Sequence, residues 1–128
     1  MEITIDTLSN LNAHVLGAPT LVYFYSDMCA PCVSLRPKVR ELVAAKFPRL
    51  DLVMINAMKQ PGLSAGYQVF TFPVLIIFFE GKEFRRFSKY ISLAELESVI
   101  GRLYSLYFDE TQDNGGHEGP ANDEDLKG

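Results

Sequence analysis

The feature of this chain that most constrains its fold is an apolar run followed closely by two cysteines. Residues 21–25 are aromatic-rich and have the character of a β-strand. Cys29-Ala30-Pro31-Cys32 comes a few residues later, and a helical pattern follows it. The chain has no other cysteine. Two intervening residues let both thiols lie within one helical turn, so a disulfide can close and reopen with little backbone movement. The spacing therefore favours a redox role over a structural one.

Length and composition predict one globular domain. A chain of 128 residues with 48% hydrophobic content can bury one core but is too short for two ordinary domains. The first residues lack a basic segment followed by an apolar one, and the longest apolar run, residues 74–79, is too short to span a bilayer. We therefore expect a cytoplasmic monomer without membrane contact, in which two cysteines are more often catalytic or metal-binding than structural.

The net charge of −4 is unevenly distributed along the chain. Residues 109–128 carry one basic and seven acidic side chains and almost no apolar ones, so we predict an acidic, disordered C-terminal tail after a domain of residues 1–108. The densest basic cluster is Lys82, Arg85, Arg86 and Lys89, which we interpret as a solvated strand face. No nucleic-acid partner is expected from so small a basic cluster.

Hydrophobic periodicity predicts the element order β-α-β-α-β-α-β-β-α. The predicted strands are residues 2–5, 20–25, 50–55, 74–79 and 83–87, and the last two form a hairpin around residues 80–82. Residues 20–25 lack strict alternation, which is typical of a central strand that is covered on both faces.

The predicted helices follow the same periodicity. The first helix should bury Leu8, Leu11, Val15 and Leu16, with Asp6 or Thr7 as its cap. A long helix follows Cys32 and contains Pro37, a short one covers residues 61–67, and the last covers residues 91–107. That last helix should turn its apolar side chains inward, namely Leu93, Leu96, Val99, Ile100, Leu103 and Leu106.

Two other interpretations of the cysteines stay open. They could be an inert pair in a fold kept for binding. They could also bind a metal, but tetrahedral zinc needs further ligands, and the only histidines are His14, expected on a helix surface, and His117, in the tail.

Residues 1–108 resemble a thioredoxin. The features that carry the resemblance are the strand of residues 22–25, the motif Cys29-Ala30-Pro31-Cys32, Pro37, Pro61-Gly62, Tyr67, and Phe72-Pro73 before an apolar strand. They occur in the family's order and spacing. The resemblance implies a thioredoxin fold of the α/β class, with a central mixed five-stranded sheet flanked by helices.

The resemblance also implies an activity, the reduction of protein disulfides by dithiol–disulfide exchange. Cys29 would be the attacking thiolate, at a helix N-terminus that favours negative charge, and Cys32 would resolve the mixed disulfide. No cofactor would be bound. Electrons would come from NADPH through a flavin-dependent thioredoxin reductase, and the other partners would be disulfide-containing proteins.

By the same resemblance, the peptide bond before Pro73 should be cis and should set the backbone of Phe72 beside the sulfurs, where an extended substrate can pair with it. The residues expected to contact substrate border the two cysteines: Met28, Ala30, Pro31, Phe72, Pro73 and Lys89.

The chain departs from the family's pattern at several positions. Tyr23 stands where the family commonly has a buried Asp, and Met54 where it has a neighbouring Lys, so the pair thought to help deprotonate the resolving thiol is absent. Met28 replaces a Trp, and Lys89 replaces a Gly in the loop that faces the site. Lys89 could hold the Cys29 thiolate or select acidic substrates, or it could be merely solvated. An interaction module with little turnover is therefore the alternative function.

Overall fold

The computed structural model describes residues 1–109, and they adopt the predicted order of elements. These elements are β1 (Glu2–Ile3), α1 (Leu8–Gly17), β2 (Thr20–Tyr25), α2 (Ala30–Lys46), β3 (Asp51–Asn56), α3 (Pro61–Gly66), β4 (Val74–Phe79), β5 (Lys82–Ser88), α4 (Leu93–Tyr104) and a π-helical turn (Ser105–Asp109). The predicted disordered tail lies outside the described residues, apart from the backbone of its first residue. No helix within residues 1–109 is long and apolar enough to cross a membrane.

The five strands form one mixed sheet in the order β1-β3-β2-β4-β5. β1 and β2 both run parallel to β3, whereas β4 is antiparallel to β2 and to β5. β2 therefore lies at the centre, and five of its six residues are buried. This position explains why residues 20–25 show no polar alternation, and it confirms the predicted mixed five-stranded sheet.

The two faces of the sheet carry separate cores. On one face, Val22 and Phe24 of β2 pack with Leu11 of α1. On the other, Leu21 and Tyr23 pack with residues of α2 and α4. Successive residues of a strand point to opposite faces, so β2 contributes to both cores, and Tyr23 lies on the face that α2 covers.

The β4–β5 hairpin is closed by Glu80 and Gly81, whose φ angles are 56° and 77°. Two consecutive positive φ angles are the signature of a type I′ turn, which matches the twist of the strands it joins. A Cβ at Gly81 would also lie 3.0 Å from Cδ2 of Leu16. Both the backbone conformation and this contact favour glycine.

Three leucines predicted to be buried are exposed. Leu16 is 70% exposed, and its side chain lies over the hairpin turn because it sits at the edge of the stripe formed by Leu11 and Val15. Leu8, also exposed, rests near Gly66. Leu106 is 38% exposed because α4 ends at Tyr104, and the π-helical turn changes the direction of the side chains that follow.

Candidate functional site

The two cysteines lie where β2 leads into α2. Cys29 is the N-cap residue of α2, and its Sγ accepts a hydrogen bond from the backbone N–H of Cys32 at 3.2 Å. A disulfide joins the two residues, whose Cα atoms are 5.3 Å apart, a usual distance for such bonds. The predicted pairing within one helical turn is confirmed.

The two sulfurs differ in their access to solvent. Cys32 is fully buried, whereas Cys29 is half-buried. The N–H groups in the first turn of a helix have no intrahelical partner and carry partial positive charge. Pro31, within that first turn, has no N–H to leave unpaired. After reduction, Cys29 is thus the accessible sulfur, in a position that stabilises a thiolate.

Tyr23 contacts the buried cysteine, Cys32, through a hydrogen bond. Its hydroxyl donates a hydrogen bond to the backbone carbonyl of Cys32 at 2.9 Å, and the whole side chain is buried. Burial raises the pKa of Tyr23 to about 12, so the phenol is neutral at physiological pH. Tyr23 is paired in register with Met54 of β3, so two uncharged residues lie side by side at positions where thioredoxins commonly carry Asp and Lys.

Arg36 is a charged neighbour that the sequence analysis did not identify. Its guanidinium carbon lies 4.2 Å from the centre of the Tyr25 ring, a cation–π arrangement. Among residues 1–109, no carboxylate forms an ion pair with it. The available signal was its position four residues after Cys32, which places the two side chains on the same side of α2.

Two loops that precede and follow the β4–β5 hairpin carry three of the residues predicted to contact substrate, Phe72, Pro73 and Lys89. The Phe72–Pro73 peptide bond is cis, as predicted. The carbonyl of Pro73 accepts a hydrogen bond from the N–H of Lys89 at 3.2 Å, which joins the two loops. Lys89 has a φ of 62°, in the left-handed region that favours glycine. Its side chain is exposed and forms no ion pair within the described residues.

The residues predicted to contact substrate differ in exposure. Met28 is 81% exposed, and Ala30 and Pro31 are also exposed. Phe72 is half-buried against the core on the other face from Tyr23, and Pro73 is buried. The side chain of Met28 can therefore contact another molecule. Phe72 and Pro73 can contact one mainly through their backbone atoms and the exposed part of the Phe72 ring.

Two charged side chains, Asp27 and Arg86, bind structural partners in other parts of the fold. The carboxylate of Asp27 accepts a hydrogen bond from the amide of Asn56 at 3.0 Å. The guanidinium of Arg86 donates to the carbonyls of Tyr67 and Gln68, at 3.0 and 3.3 Å, and so holds the segment that leads to Phe72. Arg86 was predicted to lie on a solvated face. It is instead half-buried, a role that no local pattern signals.

The residues considered for metal binding do not converge. His14 is half-buried and not a plain surface residue, since its Nε2 lies 2.9 Å from a carboxylate oxygen of Asp51. His117 lies outside the described residues. Within residues 1–109, no group of three or more His, Cys, Asp or Glu side chains is arranged to hold a metal ion.

A cysteine pair at a helix N-terminus, with one sulfur accessible and the other buried, on a sheet of this topology defines a thiol–disulfide oxidoreductase of the thioredoxin fold. The thioredoxin family model matches residues 2–102, and the chain belongs to the thioredoxin family. Members of this family need no bound cofactor.

Individual relatives agree with this assignment. The chain is 33% identical over 88 residues to the thioredoxin-like protein YdfQ of Bacillus subtilis, an alignment that covers 69% of this chain and 78% of that protein. It is 30% identical over 91 residues to a thioredoxin of Chlamydia trachomatis, covering 71% and 85% of the two chains. The structure of Fasciola hepatica thioredoxin superposes with a TM-score of 0.67 at 26% identity, covering 77% of this chain and 96% of that one.

Proposed function

We propose that this oxidoreductase reduces disulfides in other proteins, with Cys29 as the attacking thiolate and Cys32 as the resolving thiol. The observation that carries these roles is the difference in burial: a substrate sulfur can reach Cys29, whereas Cys32 is enclosed. The N-terminal end of α2 supports the same order, since the N–H of Cys32 points at the sulfur of Cys29.

The reaction proceeds in two exchanges. The Cys29 thiolate attacks one sulfur of the substrate disulfide, so a bond from Cys29 to that sulfur forms while the substrate S–S bond breaks, and the other substrate sulfur leaves as a thiolate. The Cys32 thiolate then attacks Cys29, closing the internal disulfide and expelling the second substrate sulfur. Two electrons pass from the dithiol to the substrate, and the two leaving thiolates take up the two protons that Cys29 and Cys32 release to solvent.

The internal disulfide must be reduced again before the next cycle. The proposed electron source is NADPH, through a flavin-dependent thioredoxin reductase, in the cytoplasm and with this chain as a monomer. Family membership supports this route. The test is oxidation of NADPH in a mixture of reductase, this protein and insulin. Oxidation should require all three components and should disappear with Cys29→Ser.

Substrate is proposed to bind along the rim formed by residues on both sides of the cysteines, which are Met28, Ala30, Pro31, Phe72, Pro73 and Lys89. The high exposure of Met28 and the hydrogen bond between Lys89 and Pro73 support this surface. For Lys89, we propose an electrostatic role beside the Cys29 thiolate. Titration of the Cys29 thiol should give a higher pKa in Lys89→Ala than in Lys82→Ala, a control at the opposite end of β5. An equal pKa in both variants would refute this role.

Insulin reduction tests the main proposal. The wild type should precipitate insulin by reducing its disulfides, Cys29→Ser should be inactive, and Cys32→Ser should accumulate a mixed disulfide with its substrate because the second exchange is blocked. Mass spectrometry of that trapped species identifies the substrate cysteine. A mixed disulfide formed by Cys29→Ser in preference to Cys32→Ser would reverse the assigned roles.

The second candidate function is an interaction module that holds a partner through the same rim with little turnover. The uncharged Tyr23 and Met54 favour it, because neither position supplies a carboxylate to accept the proton of Cys32. Under this alternative, the wild type would not reduce insulin, and Cys29→Ser would retain the partner bound by the wild type.

A further inference from the structure

Arg36 stands one turn after Cys32 on α2, and the strand residues Tyr23 and Met54 on the same side of the sheet carry no carboxylate. We propose that Arg36 is a positioning residue whose guanidinium, held on the ring of Tyr25, favours the thiolate form of Cys32 and so promotes the resolving step without a buried carboxylate. The inference rests on the proposed role of Cys32 and assigns a function to a residue outside the cysteine motif.

Helical spacing and a series of contacts through two tyrosines place Arg36 on the same side of α2 as Cys32. Both residues belong to α2 and are separated by one turn, so their side chains lie on the same side of the helix. The guanidinium sits 4.2 Å from the centre of the Tyr25 ring, and the Tyr25 and Tyr23 rings are 5.9 Å apart. Tyr23 in turn touches the Cys32 carbonyl through its hydroxyl. Arg36, Tyr25, Tyr23 and Cys32 thus form one continuous cluster.

The charge of Arg36 acts within this cluster. Burial raises the pKa of Tyr23, and the guanidinium of Arg36 opposes that effect by lowering it. A positive charge that favours the ionised form of the phenol acts in the same direction on the thiol of Cys32, the residue whose carbonyl that phenol bonds. Because Arg36 has no carboxylate partner within residues 1–109, its charge is not neutralised by an ion pair.

The other ionisable groups of the surrounding elements leave Arg36 as the main source of this field. Tyr23 and Tyr25 of β2 are phenols, and Met54 of β3 and Pro73 beside β4 carry no charge. Arg40, the next basic residue on this side of α2, is neutralised by a two-point ion pair with Glu2. Lys38 and Glu41 of α2 are exposed to solvent, as are two charged loop residues, Asp27, which bonds Asn56, and Lys89, next to Pro73.

The size of the expected effect follows from the chemistry of thiols. A nearby opposite charge shifts a pKa by about one unit or more, which below the pKa changes the thiolate fraction about tenfold. A thiolate of higher pKa is more nucleophilic. With a Brønsted coefficient of about 0.4–0.5, a pKa higher by one unit raises the rate constant of the thiolate roughly threefold. Removal of the charge should therefore slow the resolving step about threefold at pH values below the pKa of Cys32. At pH values above it, the same variant should be about threefold faster.

The experiment separates the two exchanges by rapid mixing of the reduced protein with a bis(nitrobenzoate) disulfide, each half of which absorbs visible light when released. The first phase reports attack by Cys29 and depends on reagent concentration, whereas the second reports resolution by Cys32 and does not. In Arg36→Gln and Arg36→Ala, the pH midpoint of the second phase should rise by about one unit, and the rate profile should cross that of the wild type. Arg36→Lys should restore the midpoint because it keeps the charge.

Lys38→Gln is the matched control, since it removes one positive charge from an exposed position two residues away on α2. It should leave the midpoint unchanged. An unmoved midpoint in both Arg36→Gln and Arg36→Ala would overturn the inference, as would an equal shift in Lys38→Gln or in Arg36→Lys. The first phase distinguishes these outcomes from failure of the proposed function: if the wild type showed no first phase, the assignment of Cys29 itself would be wrong, and the inference would fall with it.

Discussion

Removal of the Tyr23 hydroxyl is expected to change stability in a way that depends on pH. In Tyr23→Phe, the hydrogen bond to the Cys32 carbonyl is lost, while the ring still fills its place in the core. That carbonyl keeps its place in the hydrogen-bond ladder of α2, so no acceptor is left unpaired. A net hydrogen bond of this kind contributes about 1 kcal/mol, and we expect the variant to be less stable by that amount near neutral pH.

At alkaline pH the difference should disappear. The pKa of Tyr23 is about 12 in the folded protein against 10.0 without burial. Between these values the unfolded chain loses a proton that the folded protein retains, so ionisation favours unfolding. The wild type is fully stabilised below pH about 10 and loses about 1.4 kcal/mol from this group at pH about 11, whereas Tyr23→Phe loses nothing from it. The two proteins should therefore be about equally stable near pH 11.

The assay is urea unfolding of the oxidised protein, followed by circular dichroism at several pH values. With the disulfide intact, neither cysteine titrates, so the difference between the two proteins isolates Tyr23. Tyr25→Phe is the matched control, because it removes a half-buried hydroxyl of the same strand that forms no hydrogen bond within residues 1–109, and it should cost less near neutral pH. A stability difference for Tyr23→Phe that stayed constant from neutral pH to pH about 11 would refute the reasoning.

Three further changes test local features of the backbone and one helix cap. Lys89→Gly should raise the free energy of unfolding, measured in urea, by about 0.5–1 kcal/mol. Glycine adopts the left-handed φ of 62° without a steric penalty. An unchanged free energy of unfolding would contradict the expected strain at Lys89. Gly81→Ala should lower the melting temperature by several degrees, equivalent to about 1–2 kcal/mol, since it meets both a φ of 77° and the side chain of Leu16. Ser92→Ala should cost about 1 kcal/mol by removing the cap that accepts the N–H of Glu95, and Ser92→Asp should retain the stability. Equal losses in the two Ser92 variants would contradict the capping role.

Local patterns in the sequence predicted most of the fold. The order of strands and helices followed from hydrophobic periodicity, and the cap at Thr7 is confirmed by its hydrogen bond to the N–H of Asn10. The errors lie at element ends and edges. Leu16 has the helical spacing of the buried residues but lies at the border of the buried stripe. Leu106 has the spacing of an α-helix, but at that point the chain forms a π-helical turn. Periodicity describes the interior of an element better than its end, because capping and tertiary contacts decide where it stops.

In the candidate site, too, local features were predicted and long-range contacts were not. The disulfide between Cys29 and Cys32 was predicted because the two residues lie within one helical turn, and the cis bond before Pro73 was predicted from the resemblance to thioredoxins. The contacts of Arg36 with Tyr25 and of Arg86 with the Tyr67 carbonyl were not predicted, since these partners lie on another strand or loop. An arginine has the same appearance in a sequence whether it is solvated, stacked on a ring or bonded to a distant carbonyl.

The sequence by itself determined the chemistry of this protein, because two thiols at this spacing before a helix are brought together by local geometry alone. Only the tertiary structure decided what surrounds them. The parallel register of β2 with β3 sets Tyr23 beside Met54, and the packing of α2 on that face lays the Tyr23 hydroxyl on Cys32 and Arg36 on Tyr25. These contacts depend on strand order and helix docking, which bring together residues that are distant in the sequence.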